Sequence, residues 1–278
     1  MSWLFSILLA GSLIASEPAM PETKNYQASV RESRSVVMAD ETERFEQTYA
    51  LNPTGRVAVS NINGSITIDT WNNNQVRLEV VKTADSKERF DDVEIKIDST
   101  PDSLTIATKY DRLKNQNNWN RNGKLLIDYR LTVPRSAVLD AIETINGTVS
   151  VVNATNVTRA KSINGHVKAT NLRGTAELGT VNGTVTADFD QLAGSGRIAL
   201  NTVNGQVNLT VPSDINATLK SHTLNGSITN DFGLPVRKGK WGGRDLYGKI
   251  GHGERPIELS SGNGGLTSSK AADAQAAY

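Results

Sequence analysis

The sequence contains no cysteine, and this absence excludes several kinds of chemistry. A disulfide, a thiol nucleophile, a lipid-modified cysteine and a cysteine-bound zinc are all ruled out, so stability must come from packing and backbone pairing. Only three histidines occur, none with the spacing of a His-Glu-x-x-His metal motif. The 30 basic residues balance 29 acidic ones, which argues against an electrostatic footprint for nucleic acid. The sequence therefore predicts no metal, no cofactor and no nucleic-acid partner.

Long apolar runs are also scarce. Residues 3–15 form a mainly apolar run of 13 residues, shorter than the roughly 20 that a membrane-spanning helix needs. This length is typical of the core of a secretory signal peptide. We therefore predict a signal peptide at residues 1–16, no transmembrane span after its cleavage, and an extracytoplasmic location in the periplasm, in the cell envelope or as a secreted protein. Because no Lys or Arg precedes the run and no clean Ala-x-Ala site follows it, an uncleaved N-terminal anchor is the alternative.

The strongest positive signal is an internal repeat. Six segments share the pattern apolar-Asn-Gly-x-β-branched, and their glycines lie at positions 64, 147, 165, 183, 205 and 226. The last five are separated by 18, 18, 22 and 21 residues, and a degenerate copy follows at Ser261–Leu266. The flanking segments alternate apolar and polar residues, which is typical of half-buried strands. A period of this length predicts a solenoid whose rungs each contain one repeat.

The Asn-Gly pair predicts a change of chain direction, because both residues tolerate positive φ. In a two-residue hairpin Val181 and Val185 would lie on opposite faces of the sheet. A solenoid corner lets both point into the core and lets the Asn side chains stack from rung to rung. The predicted fold is all-β, a parallel β-solenoid (β-helix) with longer N-terminal strands that cap the repeat array. Stacked hairpins or a sandwich are the alternatives.

The chain is predicted to have four parts. The signal peptide at 1–16 is followed by a polar, aperiodic segment at 17–40, which we expect to be a flexible tether. Residues 41–266 form the β-solenoid domain, with the repeat array at about 140–266, and residues 267–278 form a disordered tail. Short helical turns are predicted only at 41–45 and 85–91.

Several stretches outside the array carry a family resemblance: Arg44-Phe45, residues 55–68, Trp71, Val76 and Tyr129–Pro134. Together with the export signal and the serial Asn-Gly motifs, they resemble the bacterial "putative adhesin" family of secreted β-strand-repeat proteins over about residues 41–266. The resemblance implies a β-solenoid outside the cytoplasm and brings no catalytic motif. The Asn-rich insertion near 115–122 and the degraded final repeat depart from the family pattern. Fold does not fix function, so adhesion is an implication of the family only.

Two polar loops carry the candidate ligand-binding residues. Residues 112–124 contain Trp119 and Arg121, and residues 237–244 place Trp241 and Arg244 in a basic segment. Loops on a rigid scaffold commonly carry recognition, and an aromatic ring beside Arg suits a sugar or an anionic polymer. The alternative is that either Trp covers an open edge of the sheet.

The sequence therefore favours a non-enzymatic exported module for binding or adhesion at the envelope or cell surface. Its ligand is unknown, with a cell-surface polysaccharide or an envelope protein as the expected class of partner. One alternative is a polysaccharide-degrading β-helix enzyme that uses Asp188 and Asp190, with Lys168 brought near them from the adjacent rung. The other is a purely structural envelope element.

Overall fold

The computed structural model describes residues 40–110, 123–192, 194–239 and 242–271. In these ranges the chain is nearly all strand, with one 3-10 helix at Lys87–Asp92. The strands are β1 (Glu41–Ala50), β2 (Arg56–Ser60), β3 (Ile66–Trp71), β4 (Gln75–Ala84), β5 (Val93–Thr100), β6 (Ser103–Tyr110), β7 (Leu125–Pro134), β8 (Val138–Asn146), β9 (Val149–Val152), β10 (Asn156–Asn164), β11 (Val167–Leu172), β12 (Thr175–Asn182), β13 (Val185–Phe189), β14 (Ile198–Asn204), β15 (Val207–Val211), β16 (Ala217–Asn225), β17 (Ile228–Asn230), β18 (Val236–Lys238), β19 (Arg244–Ile250), β20 (Arg255–Asn263) and β21 (Leu266–Lys270).

Each repeat forms one rung, which consists of a strand in one sheet, an Asn-Gly corner and a strand in a second sheet. Sheet 1 has the strand order β1-β4-β7-β3-β9-β11-β13-β15-β21-β17, and sheet 2 has the order β18-β19-β16-β20-β14-β12-β10-β8-β2-β6-β5. Neighbouring rungs pair in parallel and align their corner Asn residues. The predicted all-β parallel solenoid is confirmed.

Longer strands close the N-terminal end of the stack. In sheet 1, β4 pairs antiparallel with β7 and β1 pairs antiparallel with β4, while in sheet 2 β5 pairs antiparallel with β6. The helical turn predicted at 41–45 is wrong, because these residues begin β1 and pair with residues 80–84 of β4. Cross-strand pairing there outweighs a weak local preference for helix. The second predicted turn corresponds to the 3-10 helix at Lys87–Asp92.

The core lies between the two sheets and consists of aligned columns of aliphatic side chains. Val167, Val185 and Val207 form one such column, each fully buried, at matched positions of β11, β13 and β15. Burial of each such side chain contributes about 1.5–3 kcal/mol to stability. The array is therefore held together by repeated contacts between adjacent rungs.

The residue before each Asn points outward, which corrects the expectation that both apolar neighbours of Asn-Gly point inward. Val185 is fully buried, but Val181 is 38% exposed and Thr180, one residue earlier, is buried instead. The Thr180 hydroxyl donates to the carbonyl of Gly165 in the adjacent rung at 2.8 Å. A buried carbonyl needs such a partner, so a hydroxyl is favoured at this inward position. The same bond recurs from Thr144, Ser162, Thr202, Thr223 and Ser261 to glycine carbonyls at 2.8–3.1 Å.

The corner Asn side chains form a continuous amide ladder. From the second member onward, each Nδ2 donates to the Oδ1 of the preceding Asn at 2.8–2.9 Å, through the series Asn63, Asn146, Asn164, Asn182, Asn204, Asn263 and Asn225. The stacking expected from the repeat spacing is observed.

The last repeat in the sequence is not the last rung in space. Strand β20 lies between β14 and β16, and β21 lies between β15 and β17. The chain first forms the outer rung β16/β17, then adds β18 and β19 as antiparallel edge strands, and finally returns to fill the inner position. The predicted tail boundary at residue 267 is wrong, because residues 267–270 belong to β21. The proposed signal peptide, nearly all of the proposed tether and residues 272–278 lie outside the described residues.

Candidate functional site

The site residues expected from the sequence are only partly described. Trp119, Arg121 and Trp241 lie outside the described residues. Arg244 is the first residue of β19, is exposed, and pairs in register with Thr223 of β16. What the structure does describe is the outer face of sheet 2, which contains β6, β18 and β19, the strands next to these loops in sequence.

That surface carries a column of exposed aliphatic side chains along the outer face of sheet 2. We define the apolar stripe as Ile145, Ile163, Val181 and Val203, which lie in the adjacent strands β8, β10, β12 and β14 and are 37–50% exposed. Half-buried Ile62 extends it on one side. On the other side Gly262 of β20 interrupts it before Leu224 of β16, which is 56% exposed.

The stripe lines a groove of about 580 Å³. Besides Ile62 and the stripe, the groove is lined by Ser60, Glu143, Lys161, Gly179 and Asn201, and by the buried polar residues Asn61, Thr108, Thr144, Ser162 and Thr180. Because Gly179 and Ser60 have small side chains, the side of the groove that they line is shallow. The groove is therefore a shallow apolar channel that runs across the rungs, along the solenoid axis.

The charged groups at the groove wall are already ion-paired. Lys161 Nζ lies 3.2 Å from Glu177 Oε1, and Glu143 Oε1 lies 3.3 Å from Arg159 Nε. All four side chains are substantially exposed, so these pairs contribute little to stability. They do offset charge beside the stripe, and the groove consequently has mainly apolar character.

The described residues next to the two candidate loops lie on opposite sides of this groove, at unequal distances: β6 is next to β2, whereas β20 and β16 separate β19 from the groove-lining strand β14. Strand β6 follows β2 in sheet 2 and ends at Tyr110, whose hydroxyl accepts a hydrogen bond from Asn63 Nδ2 at 3.5 Å. The segment that contains Trp119 follows Tyr110 directly. At the other end Gly243 approaches β16 so closely that a Cβ there would lie 3.1 Å from Leu224 Cα. Trp241 precedes this glycine by two residues. Each aromatic candidate is thus close in sequence to a described strand of sheet 2.

The acidic residues of the enzyme alternative are not arranged as an acid/base pair. Arg173 binds Asp190 through two nitrogens, with Nε 3.0 Å and Nη2 2.8 Å from Oδ2. Lys168 aligns with Thr186, two residues before Asp188. One carboxylate is thus held by a guanidinium, and the lysine is out of register with the other.

A second, polar pocket of about 690 Å³ lies near Asp190, Asp214 and Glu254. Its central cation, Arg255, is only 3% exposed and donates to the carbonyl oxygens of Gly174, at 3.1 Å, and Gly194. These bonds fasten the start of β20 to earlier rungs, so Arg255 has a structural role.

Within the described ranges no group of three His, Cys, Asp or Glu side chains is placed to hold a metal ion. In the same ranges, no helix has the length and apolar character required to cross a membrane.

Sequence reasoning missed the apolar stripe, although the signal was present. In the five Asn-Gly motifs between residues 145 and 226, an apolar residue precedes the Asn, and Ser or Thr precedes that apolar residue, as in Thr180-Val181-Asn182. If the inward position belongs to the hydroxyl, period-2 alternation sends the apolar residue outward. The inward position therefore belongs to the Ser or Thr two residues before the Asn, and the apolar residue directly before the Asn faces solvent.

Comparison with known proteins gives distant likenesses. The crystal structure of a putative cell adhesion protein from Clostridium sporogenes is 15% identical and has a TM-score of 0.46, with 82% of this chain and 100% of that chain covered. A putative adhesin from Bacteroides fragilis is 13% identical, with a TM-score of 0.35 and coverage of 82% and 97%. A putative lipid binding protein from Parabacteroides distasonis is 10% identical, with a TM-score of 0.23 and coverage of 83% and 97%. At these TM-scores the likenesses assign neither function nor ligand to this chain.

Among curated proteins, none matches the chain significantly. A family model does match part of it. The match spans residues 139–267, from β8 to the start of β21, and therefore includes the groove-lining strands β8, β10, β12 and β14. This part of the chain matches the family described as Toastrack DUF4097, and it thereby resembles a putative-adhesin-like family of β-solenoid proteins.

Proposed function

We propose that this chain is a non-enzymatic binding module whose recognition surface is the apolar groove of sheet 2 together with the two candidate loops at 112–124 and 237–244. Consistent with this role, we propose that residues 1–16 are a signal peptide and that the domain acts outside the cytoplasm, in adhesion-like contact with an envelope or surface partner.

The observation that carries the proposal is the apolar stripe. Single exposed aliphatic residues are ordinary on a protein surface, but here four lie side by side in adjacent strands and line one groove. Contiguous exposed apolar surface is a mark of a binding site. The same strands place Ser or Thr at the inward position, so the outward aliphatic residue is not needed to fill the core.

Two loop features support recognition at the same surface. Trp119 and Arg121 follow β6, next to β2, and Trp241 and Arg244 belong to the segment between β18 and β19, on the other side of the groove and beyond β20 and β16. Trp and Arg are enriched among the residues that dominate binding energy at interfaces. The groove would supply an apolar anchor, and the loops would supply polar and aromatic contacts.

The test is a binding array of glycans and cell-envelope fractions probed with the purified chain and three variants. The groove variant is the double substitution Ile163→Thr/Val181→Thr, which keeps β-branched residues on the strands. The loop variant is Trp119→Ala/Trp241→Ala. The matched control is Val152→Thr, because Val152 is half-buried and faces outward from β9 in the other sheet.

Selective binding that is lost in the groove or loop variant and kept in Val152→Thr is the expected result. Binding of the wild type that neither variant reduces would contradict the proposed surface. Failure of the wild type to bind any fraction would contradict the proposed function itself.

A further inference from the structure

We infer that the groove holds one linear acyl chain of a single-chain anionic amphiphile such as a fatty acid, laid across the rungs along the apolar stripe. This inference rests on the proposed function, since it names the class of ligand that the same groove would take.

The length of the stripe matches such a chain. Neighbouring strands in a sheet lie about 4.8 Å apart, so the stripe, which crosses four adjacent strands, spans roughly 14 Å, and Ile62 at the next position lengthens the apolar column to roughly 19 Å. An acyl chain of a membrane lipid extends about 15 Å, which is half of the hydrocarbon thickness of a bilayer, and covers four of these five positions. Gly262 interrupts the apolar column beyond Val203. One chain therefore fits the uninterrupted part of the groove.

The periodicity and chemistry of the groove do not suit a peptide. An extended peptide places same-face side chains about 6.6–6.8 Å apart, which does not match the strand spacing of the stripe. The stripe strands pair with neighbours on both sides, so in the described array they offer no free edge for strand addition. An unbranched hydrocarbon has no side-chain period and needs no hydrogen bonds, and it meets neither obstacle.

A glycan is also a poor fit for the groove itself. The residues that line it include no aromatic ring, and the charged side chains Lys161 and Glu143 are both engaged in ion pairs. The outward neutral polar side chains at its wall are Ser60 and Asn201, and the continuous feature along the groove is the row of aliphatic side chains. If a glycan binds this protein, the flanking loops are the better place for it.

A second copy of this chain would find too little apolar surface on the stripe for a stable dimer. The four stripe residues and Leu224 are five residues with roughly 400 Å² of exposed surface, the size of the largest apolar patch on a typical monomer. A specific protein interface takes about 20–30 residues and about 800 Å² from each partner. The area suits one narrow ligand instead.

The charges on either side of the groove favour one orientation of the bound acyl chain. Beyond Leu224, the edge strands β18 and β19 carry the cations Arg237, Lys238 and Arg244 with one nearby acid, Asp245. At the opposite end Lys109 of β6 is in register with Glu94 of β5, and Glu94 also lies 3.8 Å from Lys96 Nζ, so the excess of positive charge there is smaller. A carboxylate headgroup is therefore favoured beyond Val203, on the side of Arg244, with the methyl end of the acyl chain toward Ile145. Because β19 lies three strands from β14, about 14 Å away, Arg244 attracts the headgroup at a distance and does not contact it.

The inference is tested by titrating the purified chain with saturated fatty acids of increasing length, below their micelle concentrations, by calorimetry. Each added methylene should tighten binding by about two- to fourfold, depending on how fully it is buried, until the chain fills the groove and the gain levels off. Ile163→Thr/Val181→Thr should weaken binding at least fivefold, and Val152→Thr should leave it unchanged. Arg244→Glu should weaken binding of a fatty acid more than binding of the fatty alcohol of equal length.

Three results would overturn the inference. Affinity that does not depend on chain length would remove the acyl chain as the recognised element. Binding to phosphatidylglycerol vesicles without binding to monomeric fatty acid would assign the groove to a membrane surface. Reversible dimerisation in sedimentation velocity, abolished in the groove variant and unaffected by fatty acid, would assign it to a second copy.

These failures are separate from failure of the proposed function. If the groove variant loses binding on the envelope array while no fatty acid binds, the recognition surface stands and only the acyl chain is wrong. If the groove variant behaves as wild type in both experiments, the recognition surface itself is wrong.

Discussion

Substitution of Gly183 by Ala tests how closely the corners are packed. Gly183 has φ of +154°, and a Cβ there would lie 2.1 Å from the carbonyl oxygen of Gly165 in the adjacent rung. Carbon and carbonyl oxygen do not ordinarily approach closer than about 3.3 Å. Since the obstacle is backbone, no side-chain rotation relieves it. The two rungs must separate by about 1 Å at this corner.

The expected cost follows from the bonds that such a separation breaks. Among the hydrogen bonds that join these two rungs, three lie nearest the substituted position: Gly165 N–H to Asn182 O at 3.0 Å, Thr180 Oγ1 to Gly165 O at 2.8 Å, and Asn182 Nδ2 to Asn164 Oδ1 at 2.9 Å. At about 1 kcal/mol each, with 1–3 kcal/mol more for a non-glycine residue at this φ, Gly183→Ala should lower the free energy of unfolding by about 4–6 kcal/mol. That is a large part of a typical total of about 5–15 kcal/mol.

Gly233 provides the matched control. It also has positive φ, +68°, but a Cβ there would meet nothing within 4 Å. Gly233→Ala should therefore cost only the left-handed backbone strain, about 1–2 kcal/mol. The assay is urea unfolding followed by far-UV circular dichroism. If Gly183→Ala destabilises no more than Gly233→Ala, the corners are not close-packed and the reasoning is refuted.

Three further predictions concern the inward hydroxyls, the inserted rung and a buried tyrosine. Thr180→Val should lower the free energy of unfolding by about 1–2 kcal/mol, because it removes the donor to the Gly165 carbonyl; urea unfolding measures this. Removal of residues 255–278 should abolish cooperative unfolding, because the nearly fully buried Ile257, Leu259 and Leu266 contribute roughly 5–9 kcal/mol. Burial raises the pKa of Tyr129 to about 12. The unfolded chain loses this proton from about pH 10 and the folded chain only near pH 12, so stability should fall across this window by roughly 2–3 kcal/mol.

Each of these has a control that isolates its cause. Thr180→Ser keeps the hydroxyl and should recover most of the loss; an equal loss in both variants would show that the methyl group matters instead. A peptide of residues 255–271 added in trans should restore folding of the truncated chain, whereas a truncated chain with wild-type unfolding would contradict the inserted-rung topology. Tyr129→Phe should flatten the fall in stability between pH 10 and 12, and an unchanged slope would mean that other groups cause it.

The repeat made much of the fold predictable. Rungs of 18–22 residues, strand-like flanks and Asn-Gly corners lead directly to a parallel solenoid with an amide ladder, because identical backbone units can pair only with their neighbours. The long strands at 75–81 and 125–133 were recognisable as ordinary strands outside the array. Their antiparallel pairing, which caps one end of the stack, follows from the need to cover an open sheet edge.

Two features of the structure were not predicted from the sequence, for different physical reasons. The inward hydroxyl at Thr180 depends on a backbone carbonyl of another rung, a partner that periodicity does not reveal. The insertion of β20 and β21 is a matter of chain order, and equivalent repeats give no signal about which rung lies between which. The first of these has a consequence for function, because an apolar residue expected to point inward is in fact part of the exposed apolar stripe. The loop residues Trp119, Arg121 and Trp241 stay predictions.

The central claim is that the partner contacts the groove on the outer face of sheet 2. Hydroxyl-radical footprinting tests it directly, because it measures the exposure of individual side chains with and without a bound envelope fraction or fatty acid. The account predicts protection of Ile145, Ile163, Val181 and Val203, with Val152 on the other sheet and exposed Tyr247 of β19 unchanged. Protection of Val152 or Tyr247 without protection of the four stripe residues would contradict it.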